Sequence, residues 1–320
     1  MSGSAASRPR IGVSSCLLGE KVRFDGGHKR DHFLTDTFGQ FVDWVPVCPE
    51  VECGLPVPRE SMHLAGDPEA PRLVTTKTNE DMTARMKQWA RGRLKELDNE
   101  ELSGFVFKSK SPSSGMERVK VYGSSGMPRK VGVGIFARAF MDAFPLTPVE
   151  EEGRLHDANI RENFVERVFA MERLRKLVKG RASRRELVEF QARHKLQLMA
   201  HSPKLQKETG RLIARVAEFR PRELYRQYAE LFAEALKQRA TLGKNANVLQ
   251  HAMGYFRDEL TSDERQEAQE LIESYRRGHI PLIVPVTMVS HYVRKYDTEY
   301  LRNQTYLEPH PLELKLRNHA

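Results

Sequence analysis

Apolar positions along the chain fall into two regimes. Up to about residue 150, short apolar runs alternate with amphipathic stretches; beyond it, apolar residues recur about once per helical turn almost to the end. Residues 11–15, 44–47, 104–107 and 131–136 read as short strands. Residues 31–42, with Phe33, Leu34, Phe38 and Phe41 or Val42 on one face, read as a helix, and so do 81–97 and 138–143. Strands alternating with helices predict an α/β fold with a Rossmann-like, mostly parallel sheet. From 155 to 178 one helix carries Ile160, Phe164, Val168, Met171, Leu174 and Leu177. The small and basic stretch 180–185 then marks a boundary. Further helices follow over about 186–200, 203–217, 221–239, 243–260, 263–277 and 284–302, punctuated by Gly210, Pro221, Gly243, Gly278 and Pro281. The expected organisation is a disordered 1–10, an α/β domain over 11–180 and an all-α helical bundle over 181–320.

Charge adds a partner to this picture. The 320 residues carry a net +9, and residues 181–320 hold 24 Lys and Arg against 18 Asp and Glu. A basic excess in the helical half suits a polyanion such as RNA. No stretch supplies about 18 apolar residues in a row, and residues 2–10 lack the apolar core of a secretory signal. A cytoplasmic protein without a membrane partner is therefore expected, and no obligate protein partner is evident.

The chemistry gathers on three cysteines. Cys16 ends the first strand run, Cys48 ends the second, and Cys53 follows five residues on in Cys48-Pro-Glu-Val-Glu-Cys53-Gly-Leu-Pro-Val-Pro-Arg59, a segment stiffened by its prolines. An odd count in a reducing compartment points to thiols or metal ligands before a disulfide framework. All three read as ligands of one soft metal centre. Three thiolates suit an iron–sulfur cluster; a Cys3His zinc site drawing on His28, His32 or His63, and simple burial of the thiols, are the competing readings. Cys16, Cys48 and Ser111 each follow a predicted strand. In open parallel sheets such loops meet beyond the strands' carboxyl ends.

Three ordered motifs carry a resemblance over residues 10–165: Ser14-Ser-Cys-Leu-Leu-Gly19 with Val22-Arg-Phe-Asp-Gly26, Cys48-Pro-Glu-Val with Gly54-Leu-Pro-Val-Pro-Arg59, and Lys108-Ser-Lys-Ser-Pro-Ser-Ser-Gly115. The segment resembles the thiouracil and thiouridine desulfidases, which hold an oxygen-sensitive [4Fe–4S] cluster on three cysteines and replace the sulfur of a thiolated pyrimidine with oxygen. The second half resembles the YbgA-like helical domain through Leu249-Gln-His-Ala-Met-Gly-Tyr-Phe256, Tyr275-Arg-Arg-Gly-His-Ile-Pro-Leu-Ile-Val-Pro285 and Tyr300-Leu-Arg-Asn-Gln-Thr-Tyr-Leu-Glu-Pro-His-Pro311. The fusion is similar to the longer enzymes that act on 4-thiouridine in tRNA.

That resemblance implies a [4Fe–4S] cluster with one open iron as Lewis acid, tRNA as substrate, and conversion of 4-thiouridine to uridine with release of hydrogen sulfide. It implies Glu50 as the catalytic carboxyl group, Ser111 and Ser114 as groups that orient substrate or water, and Arg59, Lys108 and Lys110 as contacts to phosphate or base. In one respect the chain departs from the family: Ser114 stands where a cysteine is usual, and Cys53 where glycine is common. Cys16, Cys48 and Cys53 are accordingly expected to hold the cluster. A non-catalytic tRNA-binding stress-response protein and a zinc-dependent hydrolase are the alternative functions.

Overall fold

The computed structural model describes residues 8–123, 126–180 and 183–319. Most of the tail expected to be disordered lies outside them, and Arg10 already opens the first strand. The chain divides into two compact units, residues 1–157 and 158–320. The division falls ahead of the helix at 158–179, where the sequence placed it after that helix.

The first unit runs β1 (Arg10–Ser14), β2 (Asp43–Val47), α1 (Pro49–Glu52), β3 (Met62–Ala65), β4 (Arg72–Thr75), α2 (Thr83–Asn99), β5 (Gly104–Phe107), β6 (Val119–Tyr122), β7 (Pro128–Gly132), α3 (Ile135–Ala143) and β8 (Val149–Glu151). One sheet, in the order β2-β1-β5-β8, is wholly parallel. Its central strands β1 and β5 are buried almost throughout, as strands covered on both faces require. Gly12 in β1 is forced by packing, because a Cβ there would overlap the ring of Phe105. Phe105, Phe107, Phe136 and Phe140 fill the adjoining core with Val45, Val47 and Leu97. Such clusters are the main source of stability, each buried aromatic contributing about 1.5–3 kcal/mol.

A second sheet, β4-β3-β6-β7, pairs β3 with β6 in parallel and its other neighbours antiparallel. It packs Leu64, Leu73, Met82, Met86, Val119 and Val121 into a smaller core. The run 131–136, expected as one strand, is shared between two elements: β7 ends at Gly132 and α3 begins at Ile135. The helix expected over 31–42 is two short irregular turns, Phe33–Thr37 and Phe38–Gln40, which still bury Leu34 and Phe38; Val42, just beyond them, is buried too.

The second unit is helical: α4 (Ala158–Lys179), α5 (Arg184–His201), α6 (Pro203–Ala214), α7 (Pro221–Lys237), α8 (Leu242–Met253), α9 (Ser262–Arg276), α10 (Ile283–Lys295) and α11 (Glu299–Arg302). Local chemistry sets several of the starts. Ser183 and Thr261 each form a capping box with the glutamate three residues on, and Ser202 caps α6 ahead of Pro203. The helix expected over 284–302 breaks after Lys295, where Asp297 adopts a left-handed φ of 52°. Apolar clusters hold the unit, one around Leu196, Val248, Phe256, Val289 and Tyr306, another around Phe190, Leu224, Tyr228 and Phe232. Tyr228 is thus a core residue, its hydroxyl donating to Gln191 Oε1 at 2.8 Å. Among the described residues no helix is long and apolar enough to cross a membrane.

Candidate active site

At the carboxyl ends of β1, β2 and β5 the three following loops line one cavity of about 400 Å3. Cys16 and Lys29 reach it from the first, Cys48, Glu50 and Arg59 from the second, and Lys108, Lys110, Ser111 and Ser114 from the third. The meeting of three sequence-distant loops, expected because Cys16, Cys48 and Ser111 each follow a predicted strand, is observed. β1 lies between β2 and β5, so the chain reverses its direction of strand addition here.

Local structure fixes each donor. Cys16 sits in a tight turn, Ser15–Leu18, closed by Gly19 at φ 98°. Cys48 directly follows β2 as the N-cap of α1, and its backbone N–H donates to Glu52 Oε1 at 2.8 Å across that single turn. Both thiols are buried. Burial pushes Cys16 up to about 11, with Lys108 pulling in the opposite direction. Burial, followed by the charge of Glu50, pushes Cys48 up to about 12. Without a cation beside them both stay protonated at neutral pH.

Glu50 joins the two halves of the cavity. Its Oε1 accepts from Ser113 Oγ at 2.5 Å, while Oε2 lies 3.7 Å from Cys48 Sγ and 3.8 Å from Arg59 Nη2. The Arg59 side chain is only 8 % exposed and also donates to the Val22 carbonyl at 2.9 Å. Lys108 is held by Glu152 at 2.5 Å and by Ser109. Lys110 is exposed and carries no ion pair among the described residues.

The serine loop is rigid. Ser111 Oγ accepts from the amides of Ser113 and Ser114 at 3.3 and 3.1 Å. The carbonyls of Pro112 and Ser113 accept from Ile135, Phe136 and Ala137, the first N–H groups of α3. Gly134 permits that approach, since a Cβ there would come within 2.5 Å of the Ser113 backbone.

One expected ligand is placed elsewhere. Cys53 does not line the cavity; it packs against the core of Leu64, Met86 and Ile135, with Sγ 3.2 Å from the Glu50 carbonyl oxygen. Arg85 pins the same segment by donating to the carbonyls of Cys53 and Gly54. The physical reason is the turn α1: five residues of helix carry a side chain roughly 140° around the axis, so Cys48 and Cys53 face apart. Among the described residues no three His, Cys, Asp or Glu side chains gather closely enough to hold one metal ion. None of His28, His32 and His63 lines the cavity, so the fourth ligand of a Cys3His zinc site is missing from it.

Sequence reasoning passed over Ser113 and Glu152. Ser113 stood inside a motif already chosen, but serine types alone do not reveal which hydroxyl meets the carboxylate. Glu152 closes an acidic run, Glu150-Glu-Glu152, whose members take different tasks: Glu150 pairs with Arg154, Glu151 accepts from the amide of Met116, and Glu152 holds Lys108.

Comparison with known proteins gives two matches in series. Residues 11–152 match the family described as 2-thiouracil desulfurase, and residues 195–311 match a protein family of unknown function, DUF1722. The uncharacterized protein YbgA of Escherichia coli (strain K12) is 34 % identical over 153 residues, which are 48 % of this chain and 90 % of that protein. A solved structure of a [4Fe-4S]-dependent thiouracil desulfidase, TudS, is 28 % identical over 47 % of this chain and 95 % of its own, with a TM-score of 0.39.

Proposed function

The chain belongs to the 2-thiouracil desulfurase family over residues 11–152 and to the DUF1722 family over residues 195–311, and on that premise we propose that it is a tRNA 4-thiouridine desulfidase. The reaction exchanges the C4 thiocarbonyl for a carbonyl: water supplies the oxygen, and sulfur leaves as hydrogen sulfide. The observation that carries the reading is Glu50, a carboxylate anchored on one oxygen in a cavity that also presents two thiols.

The donor set suits a soft metal centre. Two buried thiols with raised pKa need a cation to ionise, and sulfur is the donor that iron–sulfur clusters prefer. Cys16 and Cys48 would hold a [4Fe–4S] cluster, which when bound supplies a Lewis acid for the departing sulfur.

This chain's own residues do the rest. Glu50 Oε2, the oxygen not engaged by Ser113, takes the proton of the attacking water. Ser111 and Ser114 line the wall, and Ser111 orients the base. Arg59 and Lys108 offset the charges of Glu50 and Glu152 in the wall; Lys110 and Lys29, both exposed and lining the cavity, are cations available to a phosphate. A cavity of about 400 Å3 lies in the range that encloses small ligands, which suits a nucleoside drawn out of the tRNA stack. The basic helical unit contributes phosphate contacts, so affinity falls with salt.

The absence of the Cys53 thiol from the cavity favours one rival reading, a tRNA-binding protein without chemistry. Anaerobic incubation of cluster-loaded protein with 4-thiouridine-containing tRNA separates the two. Nucleoside analysis showing uridine gained with sulfide released supports the enzyme; salt-sensitive binding with 4-thiouridine unchanged supports the binder.

A further inference from the structure

We infer that the metal centre of this chain is held by Cys16, Cys48 and the hydroxyl of Ser114, and that Cys53 is a packing thiol. The inference rests on the desulfidase reading and concerns what completes its site. A cluster held by the protein needs donors that face one space, and the cavity offers two thiols. The third cysteine caps the end of α1, half-buried against the smaller core with its Sγ beside Glu50's carbonyl, and does not line the cavity.

Six serines line the cavity, and most of their hydroxyls are already committed. Ser14 Oγ accepts from the Lys108 amide, Ser61 is bonded to Thr76, Ser109 to Glu152, and Ser111 to Ser113 and two amides. Among the described residues Ser15 and Ser114 are the two left with no hydrogen bond from the hydroxyl. Ser15 adjoins Cys16 on the same loop. Ser114 comes from the third loop, so with Cys16 and Cys48 it gives one donor from each of the three loops that form the cavity. It is 3 % exposed, and its backbone is locked by Ser111 on one side and by the close approach of Gly134 on the other. A short donor on a fixed backbone in the wall of the cavity needs little rearrangement to bind.

On ligation the serine gives up its hydroxyl proton to solvent and binds iron through oxygen; no electron is transferred. Alkoxide is a harder donor than thiolate. The centre is therefore more easily stripped than one held on three sulfurs, and a cysteine at position 114 should strengthen it.

The test is anaerobic reconstitution with iron and sulfide of the unaltered full-length chain, Cys53→Ser, Cys53→Ala, Ser114→Ala and Ser114→Cys. Iron and sulfide per chain, the electron paramagnetic resonance of the reduced protein, and the rate of iron loss to a chelator are read for each. Both Cys53 variants should match the unaltered chain in all three. Ser114→Ala should lose iron about 10-fold faster or more, and Ser114→Cys should lose it more slowly by a similar factor with an altered resonance. Two Cys53 variants are used because that side chain is packed: loss of the cluster in both, with Ser114→Ala unaffected, overturns the assignment. Ser114 variants indistinguishable from the unaltered, loaded chain also overturn it while leaving the desulfidase reading standing. An unaltered chain that takes up no iron or sulfide overturns both.

Discussion

Ser113 Oγ stands 2.5 Å from Glu50 Oε1, a hydrogen bond that ties the loop after β5 to the loop after β2. Ser113 is fully buried and does not line the cavity, so it acts on the reaction only through the carboxylate it holds. A hydrogen bond to a charged group contributes about 1.5–3 kcal/mol. If Glu50 must be aimed to take a proton, Ser113→Ala should lower kcat by about 10- to 100-fold and leave KM close to its original value. Steady-state kinetics on thiolated tRNA would check the split; a change confined to KM would show that the bond serves binding instead.

The approach of α3 to the serine loop is equally strict. Gly134→Ala would place a methyl group within 2.5 Å of the Ser113 carbonyl carbon and oxygen, backbone atoms that cannot swing away. Overpacking of this kind costs about 1–3 kcal/mol. Thermal melting of the full chain should show the loss, and activity should fall with it because Ser111, Ser113 and Ser114 move together.

Cysteine reactivity gives a test that needs no substrate. Burial raises Cys16 from 9.0 to about 11, so at pH 8 the metal-free chain holds roughly 100-fold less thiolate there than an unperturbed cysteine would. Cys48, pushed to about 12, should be slower still. Alkylation followed by peptide mass spectrometry should find both thiols slow at pH 8 and accelerating toward pH 11. Rapid alkylation at pH 8 would contradict the burial on which the site rests.

In the helical unit, Glu166 and His201 form a buried pair at 3.3 Å, with Gln197 donating to Glu166 at 2.8 Å. Burial opposes charge on both, but His201 holds Glu166 below the carboxylate range and Glu166 holds His201 above the usual histidine value. Burial drives neighbouring Glu162 up to about 7. The signs follow. The contribution of Glu166 is present above the ordinary carboxylate pKa and fades in acid, whereas that of His201 is full below the usual histidine value and fades as pH rises through its folded value. Glu162 binds a proton more tightly when folded, and so also makes stability fall as pH climbs from about 4.5 to 7. Denaturant midpoints should therefore be lower at pH 8 than at pH 6. Glu166→Ala, which strands the imidazole, should cost about 3–5 kcal/mol and shrink that pH difference.

Much of this arrangement was legible in the amino-acid order. β1, β2 and β5 are apolar runs that end in chemically distinctive loops, and the α/β rule for parallel sheets then places Cys16, Cys48, Glu50, Ser111 and Ser114 at one end. The second sheet was not legible. Met62–Ala65, Arg72–Thr75, Val119–Tyr122 and Pro128–Gly132 span four or five residues each, with charged or polar members, too short for an alternating pattern to stand out. The run 131–136 misled because its apolar residues come from the end of one element and the start of another. Cys53 misled for a different reason. Spacing along the chain suggested a shared centre, but the single turn α1 between the two cysteines points their side chains apart.

In the proposed reaction Glu50 and a metal held by Cys16 and Cys48 together remove sulfur from 4-thiouridine. Its most direct test measures uridine formed and sulfide released by anaerobically loaded protein, unaltered and as Glu50→Gln, at equal iron content. The unaltered chain should release one sulfide per uridine, and the variant should lose at least about 1000-fold in rate. Equal turnover by the two proteins, or loaded unaltered protein that leaves 4-thiouridine intact, would contradict it.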